Sequence, residues 1–276
     1  MSMESPLTQN YAADTGIVTK PRGAGAWLHR YANPGRFQRL VTPILPWLAG
    51  FALLVTITGL VWGFFFSPPD WQQGIASRIM YVHVPSAWVA MNGYALLAIC
   101  SLLSVVWRHP LADLAAQEIS PIGAGFAALC LITGSLWGRP DWGTYWVWDA
   151  RLTSVLILFF LYLGHATLIR AFDNPQHGYR AAAILGLVGV INLPIIVFSV
   201  YWWNTLHQGN TITLTGPSKI YITMLWPLLV STIGFYATFF AVILARISSA
   251  IMEQRTRVLL LTSAENSGTV ALDTPS

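Results

Sequence analysis

The sequence predicts an all-α, polytopic membrane protein with six transmembrane helices. Of its 276 residues, 55% are hydrophobic and only 9% are charged, and the mean hydropathy is +0.56. These values leave too few charged side chains to solvate a soluble domain of this size. Apolar runs of about 17 to 25 residues, the length that crosses a hydrocarbon core of about 30 Å, occur six times.

The six apolar runs lie between two polar ends. They are near Ile44–Phe66, Trp88–Trp107, Ile122–Leu136, Leu152–Ile169, Ala181–Tyr201 and Ile222–Ala245, and the third is the shortest. We therefore divide the chain into an N-terminal segment (1–43), a six-helix membrane domain (44–245) and a C-terminal tail (246–276). The first forty residues lack an early apolar core, so we expect no cleaved signal peptide. From about Thr262 onward the small, polar composition predicts disorder.

An even number of crossings places both termini on one side of the lipid bilayer. Eleven Lys and Arg residues fall on the terminal segments and the two loops of that side: Lys20, Arg22, Arg30, Arg36, Arg39, Arg108, Arg170, Arg180, Arg246, Arg255 and Arg257. Four fall on the opposite side: Arg78, Arg139, Arg151 and Lys219. The positive-inside rule predicts cytoplasmic termini in a bacterial inner membrane. This asymmetry also accounts for the net charge of +4, which therefore gives no indication of nucleic-acid binding.

Neither cysteine has the spacing of a reactive or haem-attaching motif. Cys100 and Cys130 lie inside apolar runs and belong to no CxxC or CxxCH sequence. We interpret both as small core residues. The chain is therefore predicted to be neither a thiol-disulfide enzyme nor a covalent c-type cytochrome.

Tryptophan is concentrated in the three predicted outer loops, 67–87, 137–151 and 202–221. Seven of thirteen tryptophans lie there: Trp71, Trp137, Trp142, Trp146, Trp148, Trp202 and Trp203. An aromatic belt at the lipid headgroups is one interpretation. It explains the middle loop less well, because five aromatic residues fall within twelve positions of it. Indoles at this density, interrupted by glycines, suit a planar hydrophobic ligand, and Trp146 and Trp148 alternate as they would on one side of an extended segment.

Two histidines and several charged residues accompany these indoles. His83 lies on the first outer loop and His207 on the third, and two imidazoles complete the axial positions of a haem iron. A guanidinium on the outer side can bind a ligand carboxylate, although a local salt bridge to Asp141 or Asp149 is an equal alternative for Arg139 and Arg151. The candidate ligand-binding residues are His83, His207, Trp137, Trp142, Trp146, Trp148, Asp149, Arg139, Arg151 and Arg78.

Two other interpretations of these residues are less favoured. A zinc site needs a third or fourth ligand, and the outer loops offer only Asp70, Asp141 and Asp149 without HExxH spacing. His165 lies within the fourth apolar run, where an ionisable group is costly and often functional. We expect it instead to be a neutral residue bonded to a neighbouring helix, and leave it outside the site.

The sequence from Trp137 to Thr153 resembles the tryptophan-rich WWD signature of haem-handling proteins. The segments around His83 and His207 resemble those of one branch, the cytochrome c maturation protein C (haem exporter protein C) family. The resemblance implies a periplasmic platform for haem b, with His83 and His207 as axial ligands. It also implies presentation of haem to a periplasmic haem chaperone, maturation protein E (CcmE). Further implied partners are the ABC transporter subunits A and B (CcmA, CcmB) and a small one-helix protein D (CcmD).

Other classes of protein remain open at this point. No nucleophile or acid–base pair is obvious in the outer loops, so we expect the chain not to be an enzyme. A haem lyase that attaches haem to apocytochrome shares the tryptophan signature but needs more crossings and often extra buried histidines. A redox cytochrome usually carries its ligands inside facing helices. A solute transporter with belt tryptophans predicts no haem at all.

Overall fold

The regular structure of the described residues is helical and contains no strand. The structure is a computed structural model that describes residues 33–203, 205–207 and 220–272. In these ranges it contains α1 (Pro34–Val61), α2 (Met80–Trp107), α3 (Pro110–Trp142), α4 (Ala150–Leu168), α5 (Pro175–Gly189), α6 (Asn192–Trp202) and α7 (Ile222–Leu272). The helices α5 and α6 together form one apolar span, Pro175–Trp202. Six spans are long and apolar enough to cross a membrane, so the predicted fold class is confirmed.

Several helices extend beyond the apolar runs that predicted them. The helix α1 begins at Pro34 rather than near residue 44, and α3 continues to Trp142, where Gly143 with a φ of 77° ends it. The predicted outer loop 137–151 is therefore shortened to residues 143–149. An apolar run marks only the part of a helix inside the hydrocarbon, whereas backbone hydrogen bonding favours continuation of the helix through the interface.

The tail also differs from its prediction. The helix α7 continues past Thr262 to Leu272, where disorder was expected. Between Arg246 and Leu272 the chain has no proline and only one glycine, so nothing in its composition ends the helix early. The predicted N-terminal segment up to residue 32, with Lys20, Arg22 and Arg30, lies outside the described residues, as does Lys219.

Polar groups between the helices bond to other parts of the protein. The Tyr162 hydroxyl on α4 donates to the carbonyl oxygen of Ala90 on α2 at 2.7 Å. The imidazole of His165 bonds through Nδ1 to the Ser120 hydroxyl on α3 at 2.6 Å, which confirms the expected contact with a neighbouring helix. Both cysteines are buried and free, as expected of core residues. Such pairing is required because the hydrocarbon offers no water as a partner.

The helices α1 and α7 pack along each other through close backbone contact. A Cβ atom built at Gly59 would lie 2.5 Å from the backbone nitrogen of Ser231 and 2.7 Å from its Cα atom. The absence of a side chain at Gly59 therefore sets the distance between the two helices. Gly50, on the same helix, has nothing within 4 Å of the equivalent atom.

This contact predicts a position-specific loss of stability. We expect Gly59→Ala to lower the free energy of unfolding by about 1–3 kcal/mol, because the added methyl group meets backbone that can only move as a whole. The control Gly50→Ala should be neutral or slightly stabilising. Thermal unfolding of the two variants in detergent measures the difference, and equal Tm values would contradict this account of the packing.

Candidate functional site

A large cavity begins at the end of the bundle where α1 joins α2, α3 joins α4 and α6 joins α7. We call this end the tryptophan end. The cavity has a volume of about 830 Å³, within the range of sites for small molecules. It extends from Trp71 in the α1–α2 connection to Leu158 and Leu228, which are fully buried between helices. Its walls come from α2, α3, α4, α6 and α7.

The structure brings six of the ten predicted residues to this cavity. Its lining contains His83, His207, Trp137, Trp142, Trp146 and Arg151. The other four, Arg78, Arg139, Trp148 and Asp149, lie outside the lining. The two histidines are far apart in sequence, and the fold brings both to the wall of the same cavity.

His83 lies on α2, one turn from its start, rather than in a loop as predicted. Its Nδ1 atom is 3.0 Å from the carbonyl oxygen of Cys130 and 3.2 Å from the Thr133 hydroxyl, both on α3. Because a carbonyl oxygen only accepts, this contact favours a proton on Nδ1 and leaves the Nε2 lone pair for a ligand. The edge of the ring meets Trp137 with 5.6 Å between centroids.

His207 lies in the connection between α6 and α7. Its Nδ1 atom is 3.3 Å from Oδ2 of Asp149, and its ring meets Trp142 with 4.9 Å between centroids. Burial lowers the pKa of His207, while the neighbouring Asp149 carboxylate opposes that shift. A lowered pKa favours the neutral imidazole, which is the form that binds a metal.

Three buried donors beside the cavity have no hydrogen-bond partner in the described part of the chain. They are Nε1 of Trp137, Nε1 of Trp146 and Nε of Arg151. An unpaired buried donor costs about 1–3 kcal/mol, so such groups are rare unless something else satisfies them. Their position suits a ligand that brings acceptor oxygens, such as carboxylates, into an otherwise apolar space.

The four residues outside the lining have other contacts. Arg78 donates to the carbonyl oxygens of Phe64 at 2.7 Å and Ser67 at 2.8 Å, and so holds the turn that leads from α1 to α2. Arg139 donates to the carbonyl oxygen of Gly143 and lies over the ring of Tyr145. Both guanidinium groups therefore bind backbone carbonyl oxygens of the protein, and neither lines the cavity.

Trp148 and Asp149 lie next to the site without lining it. Trp148 is 76% exposed, and its ring contacts that of Trp146 edge-on with 5.4 Å between centroids, but only Trp146 lines the cavity. Asp149 is buried behind His207 and accepts from the backbone nitrogen of Leu152 at the start of α4.

Sequence reasoning missed the part of the cavity that lies along α2 and α3. Met80, Ala87 and Met91 on α2 line it together with His83, and Cys130, Gly134, Trp137 and Asp141 form one face of α3. Helical spacing from His83 and Trp137 could have identified these residues. That inference required knowing that α2 starts at Met80 and that α3 continues to Trp142.

The fold and the site define a multi-pass α-helical membrane protein with an apolar ligand cavity at one end. Residues 27–262 match the family model described as "Heme exporter protein C". A relative of that name in Bradyrhizobium diazoefficiens is 52% identical over 84% of this chain and 88% of its own length. Another, in Haemophilus influenzae, is 46% identical over 83% of this chain and 93% of its own length. A third, in Escherichia coli, is 51% identical over 67% of this chain and 75% of its own length. This chain belongs to the Heme exporter protein C family, a family of membrane components for haem delivery and not of enzymes.

The position of His83 depends on a glycine of α3. A Cβ atom built at Gly134 would lie 2.9 Å from Cε1 of His83, whereas Gly125 on the same helix has open space. We expect Gly134→Ala to displace the imidazole and to weaken hemin binding by about 10-fold, the lower end of the effect of changes behind a metal ligand.

Titration of the purified variants with hemin, followed by absorption, measures this effect. Gly125→Ala is the matched control and should bind like the unmodified protein. If Gly134→Ala binds hemin with unchanged affinity and spectrum, the position of His83 does not govern binding.

Proposed function

We propose that this chain binds haem b at the periplasmic face of the inner membrane and presents it to a periplasmic haem chaperone. His83 and His207 are the axial ligands, and Trp137, Trp142 and Trp146 provide apolar walls. The observation that carries this proposal is that both histidines line one cavity while the protein engages the Nδ1 atom of each. Each imidazole therefore offers Nε2 to an iron atom.

The remaining chemistry of the cavity fits the same ligand. Haem has a planar apolar macrocycle and two propionates, so it needs an apolar space with a few donors. The three unpaired donors on Trp137, Trp146 and Arg151 supply acceptor-binding groups of this kind. No group of three or more His, Cys, Asp or Glu side chains is placed to hold a bare metal ion among the residues the structure describes. Two imidazoles are sufficient for haem because the macrocycle supplies the other iron ligands.

The distribution of arginine supports the proposed orientation. The end of the bundle opposite the tryptophan end carries Arg36, Arg39, Arg108, Arg170, Arg180 and Arg246, followed by Arg255 and Arg257 on the extension of α7. The tryptophan end carries Arg78, Arg139 and Arg151 in the described ranges. By the positive-inside rule, this asymmetry favours termini in the cytoplasm and a cavity at the periplasm.

The mouth of the cavity supports a role in presentation. Around it Trp71, Tyr145, Trp148 and Tyr221 are exposed, and Trp71 is 80% accessible. Exposed aromatic residues are typical of surfaces that bind a partner. In this proposal they meet the chaperone, maturation protein E, which bonds the haem covalently through an exposed vinyl edge. The family resemblance adds the ABC transporter subunits A and B and the small protein D as associated subunits.

A haem lyase and a redox cytochrome fit the site less well. A haem lyase needs more membrane crossings than the six spans of the described residues. A redox cytochrome usually holds haem between facing helices, whereas His207 lies in a connection. A reductive titration distinguishes the second case, because an electron carrier cycles without losing haem.

Removal of the axial ligands tests the proposal. The double variant His83→Ala/His207→Ala should lose co-purifying haem, because it removes both iron–imidazole bonds. Each single variant should retain less haem, and its spectrum should indicate an iron that has lost one imidazole ligand. His177→Ala, an exposed histidine at the opposite end, is the control. A double variant with a normal haem spectrum, or an unmodified protein that stays colourless with ample hemin, contradicts the assignment.

The roles of Trp146 and Trp148 can be separated with a matched pair of variants and ligands. Trp146→Phe removes a buried N–H donor, and a bond to a charged acceptor contributes about 1.5–3 kcal/mol, so hemin affinity should fall by about 10-fold or more. The affinity of this variant for the dimethyl ester of hemin, which has no charged propionate, should fall much less. Trp148→Phe should leave both affinities unchanged. Equal losses for both ligands would mean that the Trp146 indole acts through apolar contact alone.

A further inference from the structure

Asp149 does not line the cavity, yet its carboxylate contacts one of the two candidate iron ligands. We propose that Asp149 is a positioning residue: it holds His207 in the tautomer with a proton on Nδ1 and so directs the Nε2 lone pair to the haem iron. This proposal rests on the proposed function, and it reassigns Asp149 from contact with haem to action through His207.

The carboxylate is fixed on both of its oxygens. Oδ1 accepts from the backbone nitrogen of Leu152 at 2.7 Å, which makes Asp149 the N-cap of α4. Oδ2 lies 3.3 Å from Nδ1 of His207. Asp149 is only 8% exposed, so solvent competes weakly for either contact. The cap therefore orients the group that faces the imidazole.

An ionised carboxylate can only accept hydrogen bonds, and this decides the tautomer of its partner. The proton of His207 must lie on Nδ1, so the lone pair lies on Nε2. A carboxylate in this position also makes the imidazole a stronger donor to a metal and restricts rotation of the ring. The edge contact with Trp142 restrains the ring from another side.

The two candidate ligands differ in the charge of the group behind them. His83 faces a neutral carbonyl oxygen, that of Cys130, and the Thr133 hydroxyl. His207 faces a carboxylate. Both arrangements select the same tautomer, but only the second is assisted by charge. His207 is therefore the stronger electron donor of the pair, and Asp149 contributes to the reduction potential of bound haem.

The alternative is that Asp149 only caps α4. Asn and Ser are about as good at the N-cap as Asp, so a cap-only residue tolerates both. The proposed role does not. In Asp149→Asn the amide oxygen can still accept from Leu152, which turns the NH₂ group towards His207 and favours the tautomer with its proton on Nε2. Asp149→Ser keeps the cap but is too short to reach the imidazole.

The experiment uses the full chain purified in detergent and titrated with hemin, with absorption spectra, reductive potentiometry and Tm. We expect Asp149→Asn to lose about 10- to 100-fold in hemin affinity, the usual effect of removing a partner behind a metal ligand. Its residual haem should have a weakened six-coordinate spectrum and a raised reduction potential at an unchanged Tm. Added imidazole should restore six coordination. Asp149→Ser should lose less, and Asp173→Asn, an exposed aspartate at the opposite end, should match the unmodified protein.

Two results would overturn the role of Asp149. One is an Asp149→Asn protein with unchanged affinity, spectrum and potential. The other is a parallel loss of haem and Tm that imidazole does not restore, which means that the cap alone matters. His207→Ala separates this failure from that of the proposed function. If His207→Ala leaves the haem spectrum intact, both proposals fail. If His207→Ala loses a ligand while Asp149→Asn is unchanged, only the role of Asp149 fails.

Discussion

The absence of water inside the bilayer is the constraint on which this structure depends. Each polar group between the helices must find its partner within the protein, and several do so across long stretches of sequence. Tyr162 bonds to Ala90, His165 bonds to Ser120, and Asn192 donates to the carbonyl oxygen of Ser154. Against this background, unpaired buried donors are informative. Three of the six in the described residues border one cavity, where a ligand can satisfy them.

The same constraint explains how the fold builds a site from distant segments. Helices can cross the membrane because they satisfy their own backbone, and close contacts such as that of Gly59 with Ser231 join them without polar side chains. The connections at the tryptophan end lie outside the hydrocarbon and can carry His207. His83 is held differently, because α2 begins early enough to place it one turn inside a helix against α3.

Much of this organisation could be predicted from the sequence. The six apolar runs predicted the number and order of the spans, and the sorting of histidines by side selected the two that share the cavity. The positions of Arg78 and Arg139 could not be predicted in this way. A guanidinium binds backbone carbonyl oxygens as well as carboxylates. Only the structure of the turns near Ser67 and Gly143 shows that these two arginines bind carbonyl oxygens. Helix ends such as that of α3 were likewise missed because hydropathy reports hydrocarbon depth and not backbone hydrogen bonding.

Under the proposed function the protein must hold haem against water and still release it, and the two candidate ligands are held in different ways. His83 lies on a helix, and groups on a second helix packed against it contact its Nδ1 atom. His207 lies in a connection, and the groups that orient it are the carboxylate at the start of α4 and the ring of Trp142 at the end of α3. Those two groups border the same seven-residue loop, 143–149, whose Tyr145 and Trp148 are exposed. Under the proposed function, a partner that binds this loop contacts the segment that carries Asp149 and follows Trp142, and therefore lies nearer to the groups that orient His207 than to those that hold His83.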